Sequence, residues 1–160
     1  MTSIGIVERE MTEPEFARMK AGFDEYAIEH GNPTEISERF GFVAMDGEKF
    51  VGCSSGLAYR KTNGYGNWFF ITDLFIEKPF RGQGLSAELL RKLEERVILL
   101  GIGNIWTWTA GYEAPDFYQK QGYEIFCEMD DWYSSGHSRV GLRKMLSPDH
   151  QSNQAFEVTF

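Results

Sequence analysis

At 160 residues, the chain is long enough for one domain with a sizeable hydrophobic core. Its 42% hydrophobic and 25% charged residues are ordinary for a soluble globular protein, and no apolar run approaches the length of a membrane span. The formal charge of −8 argues against an extended nucleic-acid surface, which needs clustered lysine and arginine, and favours a cationic partner. The N-terminal residues contain no apolar signal region, which predicts a cytoplasmic location.

The N-terminal region combines a short strand pattern with a helix. Ile4 and Ile6 alternate with polar neighbours, which predicts a short first strand. A threonine, a proline and a glutamate within residues 12–15 have the spacing of a capped helix start. Apolar residues then recur at helical spacing until Gly31, and residues 35–40 are predicted to add another helical turn.

Strand patterns and two further helices follow. An Asp-Gly pair at residues 46–47 is a hairpin signal, and a long apolar strand precedes a glycine-rich loop. Beyond that loop, leucines at helical spacing end at Gly101. The predicted strands are residues 40–46, 49–59, 68–76, 105–109, 123–129 and 139–145, and the predicted helices are residues 87–100 and the segment around Phe117.

The glycine-rich loop at residues 81–86 has the clearest chemical signature in the chain. Gly82 and Gly84 leave no side chain over the first turn of the following helix, where backbone N–H groups lack intrahelical partners. The helix dipole adds partial positive charge, and Arg81 adds a full one. The sequence therefore predicts an anion site, most naturally for a phosphate or a diphosphate.

Two phosphate-binding motifs fit this loop poorly. The ATP-type loop needs a lysine and then serine or threonine after its last glycine, whereas Gly84 is followed by Leu85 and Ser86. The dinucleotide pattern G-x-G-x-x-A is formally matched by Gly82, Gly84 and Ala87. That pattern belongs to the first strand–helix unit of a domain, however, and here it lies in the middle of the chain. A dinucleotide enzyme is therefore the weaker interpretation.

A third pattern, R/Q-x-x-G-x-G/A, has Arg81, Gly84 and Ser86 at its three defined positions. A second motif follows at residues 114–123, which match A-x-x-F-Y-x-K-x-G-F/Y. Over roughly residues 40–146, these two motifs together resemble the GNAT superfamily of acyl-CoA-dependent N-acetyltransferases. The departure is Ser86, where the family usually has glycine or alanine; serine is small, and its hydroxyl can bond a phosphate.

The resemblance implies an α+β, three-layer fold with a mixed, mainly antiparallel sheet of six to seven strands flanked by about four helices. The residues themselves predict a single domain over residues 1–146, because no internal repeat or domain boundary appears before Leu146, followed by a tail at residues 147–160 that is polar and then strand-like. Acetyl-CoA is the implied acyl donor, and the implied acceptor is an amine of a small molecule or a protein that attacks directly in a ternary complex. A catalytically inactive, CoA-binding regulatory module is the alternative, because a fold does not guarantee its chemistry.

The resemblance also assigns roles to particular residues. It places main-chain contacts to the acyl and pantetheine groups on Leu74, Phe75 and Ile76, and it places Tyr118 in the general-acid position. A phenol with a pKa near 10 can protonate a leaving thiolate whose thiol has a pKa near 8.5. The implied contacts to the phosphates of coenzyme A are Arg81, Gly82, Gln83, Gly84, Leu85 and Ser86.

An acceptor amine must lose a proton, and a carboxylate acting through water suits that task. Asp73 is the first candidate, because it is a lone acid in an apolar strand, where burial would raise its pKa. Glu113 ranks second and Glu77 third. Tyr26 and Glu113 are also candidate contacts to the acceptor.

No metal site is predicted, because His30, His137 and His150 are isolated and neither Cys53 nor Cys127 has a suitably spaced partner. The two cysteines are predicted to be buried, reduced thiols that act as small hydrophobes. The polar composition of residues 147–154 predicts a disordered tail. The alternative is that the alternating apolar residues at the end of the chain add an edge strand to its own sheet or to that of a second copy, so a homodimer is one expectation.

Overall fold

The structure is a computed structural model that describes residues 3–32 and 35–146. The chain divides into two compact units, residues 1–35 and residues 36–160. The predicted tail at residues 147–160, with its strand-like end, lies outside the described residues. In the part that is described, no helix is both long enough and apolar enough to cross a bilayer.

The first unit contains helix α1 (Glu13–Glu29). The predicted capping box is confirmed: the backbone N–H of Thr12 donates to Glu15 Oε2 at 2.8 Å, and the Thr12 hydroxyl accepts from the backbone N–H of Glu15. His30 is the C-terminal cap residue. The predicted strand at Ile4 and Ile6 is wrong: these residues have no regular structure and are 94% and 99% exposed. Two alternating residues are too few to specify a strand that no neighbour pairs with.

The second unit is a seven-stranded sheet with helices packed against one face. The strand order is β1-β2-β4-β5-β7-β6, and the short β3 pairs with β2; all pairings are antiparallel except β4 with β5. The strands are β1 (Ile36–Asp46), β2 (Lys49–Lys61), β3 (Gly64–Tyr65), β4 (Trp68–Ile76), β5 (Asn104–Ala110), β6 (Glu124–Met129) and β7 (Arg139–Met145), and the α-helices are α2 (Leu85–Leu99) and α3 (Pro115–Lys120).

The expected α+β fold is confirmed, with two corrections to its elements. The described residues form three α-helices and one 3₁₀ turn (Lys78–Phe80), rather than about four helices. Residues 36–40, where a helical turn was predicted, are the start of β1, which pairs with β2 from Ile36 onward. Phe40 and Phe42 from this strand pack against the core, so tertiary packing overrides the local helical signal.

The hydrophobic core lies between one face of the sheet and the two helices α2 and α3. Leu93 and Val97 of α2 are completely buried there, as are Phe69 of β4 and Ile105 of β5. Burying a side chain of this size typically contributes about 1.5–3 kcal/mol. The helices therefore fix the two central strands, β4 and β5, which flank the candidate site.

The opposite face of the sheet is rich in aromatic rings, and we call it the aromatic face. The rings of Phe70 and Trp106 stack with centroids 4.4 Å apart, and Trp106 and Trp108 meet edge to face at 5.7 Å. Phe126 of β6 lies 5.9 Å from Trp108. These residues alternate along their strands with residues of the core, so they project from the other side of the sheet.

Candidate active site

The sheet separates at its centre, between β4 and β5. The two parallel strands pair only from Trp68 to Phe70, opposite Asn104 to Trp106. Just past the last pair, the hydroxyl of Thr107 donates to the carbonyl oxygen of Ile71 at 3.0 Å. From there β4 continues to residue 76 and β5 to residue 110 without pairing with each other, which leaves an interstrand gap between these segments.

Main-chain groups of β4 face this gap. The backbone N–H of Glu77 donates to the carbonyl oxygen of Val51 in β2. Because backbone groups alternate between the two edges of a strand, the groups of Phe75 also face β2, and those of Leu74 and Ile76 face the gap. The carbonyl oxygen of Ile76 accepts from Nε of Arg81 at 2.9 Å, which ties the glycine-rich loop to the end of the strand.

The glycine-rich loop has the backbone geometry of an anion site. Gly82 and Gly84 have φ angles of +76° and +80°, a region that side-chain-bearing residues rarely adopt. A Cβ atom at either position would meet nothing within 4 Å, so the space beside the loop is open. The first backbone hydrogen bond of α2 runs from the N–H of Glu88 to the carbonyl oxygen of Gly84. The N–H groups before it are therefore available to a ligand.

A cavity of about 220 Å³ lies next to this loop. Gln83 is exposed between the two glycines and does not line the cavity, whereas Leu85 and Ser86 at the start of α2 are half-buried and do. The position of the cavity fits a diphosphate held by the start of α2. Its lining residues are Ile76, Phe80, Arg81, Gly82, Gly84, Leu85, Ser86, Ala87 and Phe117.

Replacing Gly84 by alanine tests this anion site. The substitution should lower CoA affinity about tenfold or more, because the positive φ becomes unfavourable and a methyl group enters the open space beside the N–H groups. The matched control is Gly101→Ala at the other end of α2, where φ is +78° and a Cβ atom would also meet nothing within 4 Å. Calorimetric titration with CoA measures both variants. Equal CoA affinity in the two variants would contradict the assignment.

Tyr118 lies on α3, on the core side of the gap. It is 5% exposed, and its ring packs against Phe117 and Tyr123 with centroids 5.3 Å away in each case. Burial raises its pKa to about 12, the charge of Glu113 adds to this rise, and a hydrogen bond with Thr107 opposes it. The structure therefore brings Tyr118 together with Thr107, a residue that the sequence analysis did not single out.

The expected burial of Asp73 is wrong, because its side chain is 55% exposed on the face away from the helices. Its Oδ2 atom accepts from the Thr72 hydroxyl at 2.6 Å and lies 3.4 Å from Nη1 of Arg39. Residue alternation showed an acid within an apolar strand, but it could not show that no helix within residues 36–146 covers this face. The burial that the sequence predicted for this carboxylate is therefore not found.

The remaining candidates are spread over both units. Glu113 is exposed, and its Oε2 accepts from the Thr109 hydroxyl at 3.3 Å. Tyr26 belongs to the first unit, where its ring lies 4.4 Å from that of His30. Glu77 lies at the start of the 3₁₀ turn that precedes the glycine-rich loop, and its side chain makes no capping hydrogen bond.

Neither cysteine shows the features of a nucleophile. Both are free, and they are half-buried rather than buried as predicted. Burial raises the pKa of the Cys53 thiol, and the charge of Asp73 adds to that rise, so the thiol stays protonated at neutral pH. Among the described residues, no group of three or more histidine, cysteine, aspartate or glutamate side chains could hold a metal ion.

The separated sheet and the glycine-rich helix start define an acyltransferase fold. A family model named "Acetyltransferase (GNAT) family" matches residues 5–123, and the chain belongs to this family. A stretch of 64 residues, 38% of the chain, is 31% identical to the L-ornithine N5-acetyltransferase NATA1 of Arabidopsis thaliana. That match spans only 27% of the length of the plant protein.

Solved structures share the fold. An acetyltransferase from Bacillus cereus ATCC 14579 superposes with a TM-score of 0.73 at 23% identity, covering 88% of this chain and 98% of that one. An aminoglycoside 6'-N-acetyltransferase complexed with coenzyme A has a TM-score of 0.57 at 22% identity, covering 78% of this chain and 79% of that one. At these identities the likeness extends to the fold alone.

Proposed function

We propose that the protein transfers an acetyl group from acetyl-CoA to a primary amine of a small molecule or a protein. The observation that carries this proposal is the gap between β4 and β5, which opens beside the glycine-bared start of α2 and has Tyr118 on its core side. The amine attacks the thioester directly while both substrates are bound. No protein nucleophile is required, which agrees with the protonated state of Cys53 at neutral pH.

Each end of the donor site has its own task. The loop from Arg81 to Ser86 holds the diphosphate through backbone N–H groups and the charge of the arginine. The main chain of Leu74 faces the gap and is placed to bond the pantetheine arm or the thioester carbonyl. A fixed N–H donor directed at a developing oxyanion is among the most effective ways to stabilise an acyl-transfer transition state.

Tyr118 is the proposed proton donor to the leaving sulfur. With a pKa of about 12, its phenol is fully protonated at neutral pH, but it is a weaker acid than a free tyrosine. Transfer to a thiolate with an ordinary pKa near 8.5 would be uphill by about 5 kcal/mol. Desolvation in the gap raises the pKa of the sulfur as well, which narrows this difference.

Asp73 is the proposed proton acceptor, acting through water from the aromatic face. It immediately precedes Leu74 on β4, and its exposure leaves one side of the carboxylate open to solvent. Asp73→Asn should lower kcat/KM about 100-fold and remove the acidic limb of the rate-against-pH profile. Asp46→Asn, at an exposed hairpin, is the control and should leave the profile unchanged. A mutant that keeps the acidic limb removes Asp73 from the mechanism, and Glu113 is then the next carboxylate to test.

The function is tested by measuring CoA release with a thiol reagent when acetyl-CoA meets a panel of amines. L-Ornithine is included because the Arabidopsis thaliana relative is named for its action on that amino acid. Acetylated product and stoichiometric CoA release support the proposal. Tight CoA binding without release across small amines and lysine-containing peptides would instead identify a regulatory module.

A further inference from the structure

Arg139 is held on the aromatic face by two tryptophans. It is the first residue of β7 and pairs with Ala110, the last residue of β5. Its guanidinium carbon lies 5.0 Å from the ring centroid of Trp108 and 5.2 Å from that of Trp132. Its Nε is buried and has no hydrogen-bond partner among the described residues. The ring faces, rather than hydrogen-bond acceptors, therefore set the position of this guanidinium.

A second arginine on the same strand differs from Arg139 because it has a carboxylate partner. Arg143 projects from the same face four residues further on, 5.5 Å above the ring of Phe126. Its Nε donates to Glu124 Oε1 at 2.8 Å, so a carboxylate of the protein neutralises it. None of the ion pairs within residues 3–32 and 35–146 includes Arg139. A rigid cation without a carboxylate partner, in a chain of net charge −8, suggests that the partner comes from outside.

The chemistry of the site favours a carboxylate as that partner. A planar guanidinium fixed by stacking presents its N–H groups in a geometry that matches a carboxylate with two parallel hydrogen bonds. One guanidinium also balances the charge of one carboxylate, and the side chains over which it lies are indole rings rather than further cations. A phosphate group would call for additional positive charge.

We propose that Arg139, held between Trp108 and Trp132, binds the carboxylate of the acceptor, so that the acceptor is an amino acid. This inference rests on the proposed acetyl transfer. Arg139 lies on β7, whereas the gap is on the far side of β5, so more than one strand spacing of about 4.8 Å separates the β7 backbone from the gap. An α-amine lies only two bonds from its carboxylate carbon. The geometry therefore selects an amine at the end of the side chain.

Two amines that differ only by a carboxylate test this inference, namely L-ornithine and 1,4-diaminobutane. The wild-type protein should have the lower KM for L-ornithine. Arg139→Gln should raise the KM for L-ornithine about 10- to 100-fold, leave kcat at saturation unchanged and leave the KM for 1,4-diaminobutane unchanged. Arg139→Lys, which keeps the charge but loses the planar fork, should recover only part of the loss. Arg143→Gln is the matched control and should change neither KM.

The inference is overturned if the wild-type protein does not prefer L-ornithine, or if Arg139→Gln raises both KM values alike. Titration of tryptophan fluorescence with the same two amines examines the site without turnover. A response to L-ornithine that requires Arg139 and is absent with 1,4-diaminobutane supports the carboxylate site even where no CoA is released, an outcome that would count against acetyl transfer alone. Equal responses to the two amines would overturn the inference.

Discussion

Tyr118→Phe is expected to lower kcat by about 100- to 10,000-fold, the usual range for the loss of a general acid. The substitution removes the phenol O–H and keeps the ring, which packs between Phe117 and Tyr123. CoA affinity should stay unchanged, because the glycine-rich loop and β4 supply the proposed donor contacts. Single-turnover measurement of CoA release, together with calorimetric titration of CoA, separates the two effects.

Tyr123→Phe is the matched control for this experiment. Tyr123 is another buried phenol, whose O–H donates to Glu94 rather than facing the gap, so its loss should cost stability and leave kcat within a few-fold. Turnover unchanged in Tyr118→Phe, or lowered equally in both variants, would exclude Tyr118 as the acid.

The raised pKa of Tyr118 adds a pH signature to this variant. Folding shifts this pKa from 10.0 to about 12, so the stability linked to the phenol is fully present below pH 10 and is lost as the pH rises toward 12. Tyr118→Phe should remove that part of the alkaline destabilisation. Urea unfolding between pH 9 and pH 11 measures the effect, which covers about the lower half of the range from pH 10 to pH 12. In the wild-type enzyme, Tyr118 should contribute no alkaline limb to the rate below pH 10.

The largest effect on stability is expected from Glu94→Leu. Glu94 on α2 accepts from Lys144 Nζ at 3.0 Å and from the Tyr123 hydroxyl at 2.9 Å, and the side chains of Glu94 and Lys144 are only 10% and 17% exposed. Removing the carboxylate leaves a nearly buried ammonium with the carbonyl oxygen of Gln121 as its remaining partner. The free energy of unfolding should fall by about 3–5 kcal/mol, as measured by urea denaturation.

The double variant Glu94→Leu/Lys144→Met separates the buried charge from the lost packing. It should recover part of the stability, because replacing both members of a buried ion pair by apolar groups is often close to neutral, whereas the Tyr123 hydroxyl is left without its acceptor. Glu95→Gln is the control on the same helix: it breaks an exposed pair with Arg91 and should cost less than about 1 kcal/mol. A double variant as unstable as Glu94→Leu would show that the unpaired ammonium is not the cause.

The sequence predicted the fold best where local signals and tertiary packing agree. The bounds of β4 and β7 match the predicted residues 68–76 and 139–145, because turn residues punctuate apolar runs on both sides. Residues 35–40 failed because a weak helical signal competes with eleven residues of antiparallel pairing to β2. Hydrophobic periodicity reports which residues share a face, but it cannot show which strand will lie beside them.

The candidate site was predictable only in part, for a related reason. The loop at Gly82 and Gly84 could be identified because its backbone requirement is visible as a residue type. Thr107 could not, since it acquires its role from a neighbouring strand, where its hydroxyl donates to the carbonyl oxygen of Ile71. Asp73 is a case in which the sequence pattern predicted too much. An acid in an apolar strand is buried only if both faces of the strand are covered, and Asp73 is exposed.

Among the described residues, β4 and β5 are joined by the pairing of three residues on each strand and by the hydrogen bond of the Thr107 hydroxyl. The sheet therefore consists of two halves that are connected over a short paired segment. Helix α2 packs chiefly on the half that contains β1, β2 and β4, and α3 packs on the half that contains β6 and β7. A thioester bound between the two halves would make hydrogen bonds where β4 and β5 do not pair with each other. Binding of the acyl donor should therefore make the whole sheet more rigid. Without the donor, the sheet should open most readily between β4 and β5.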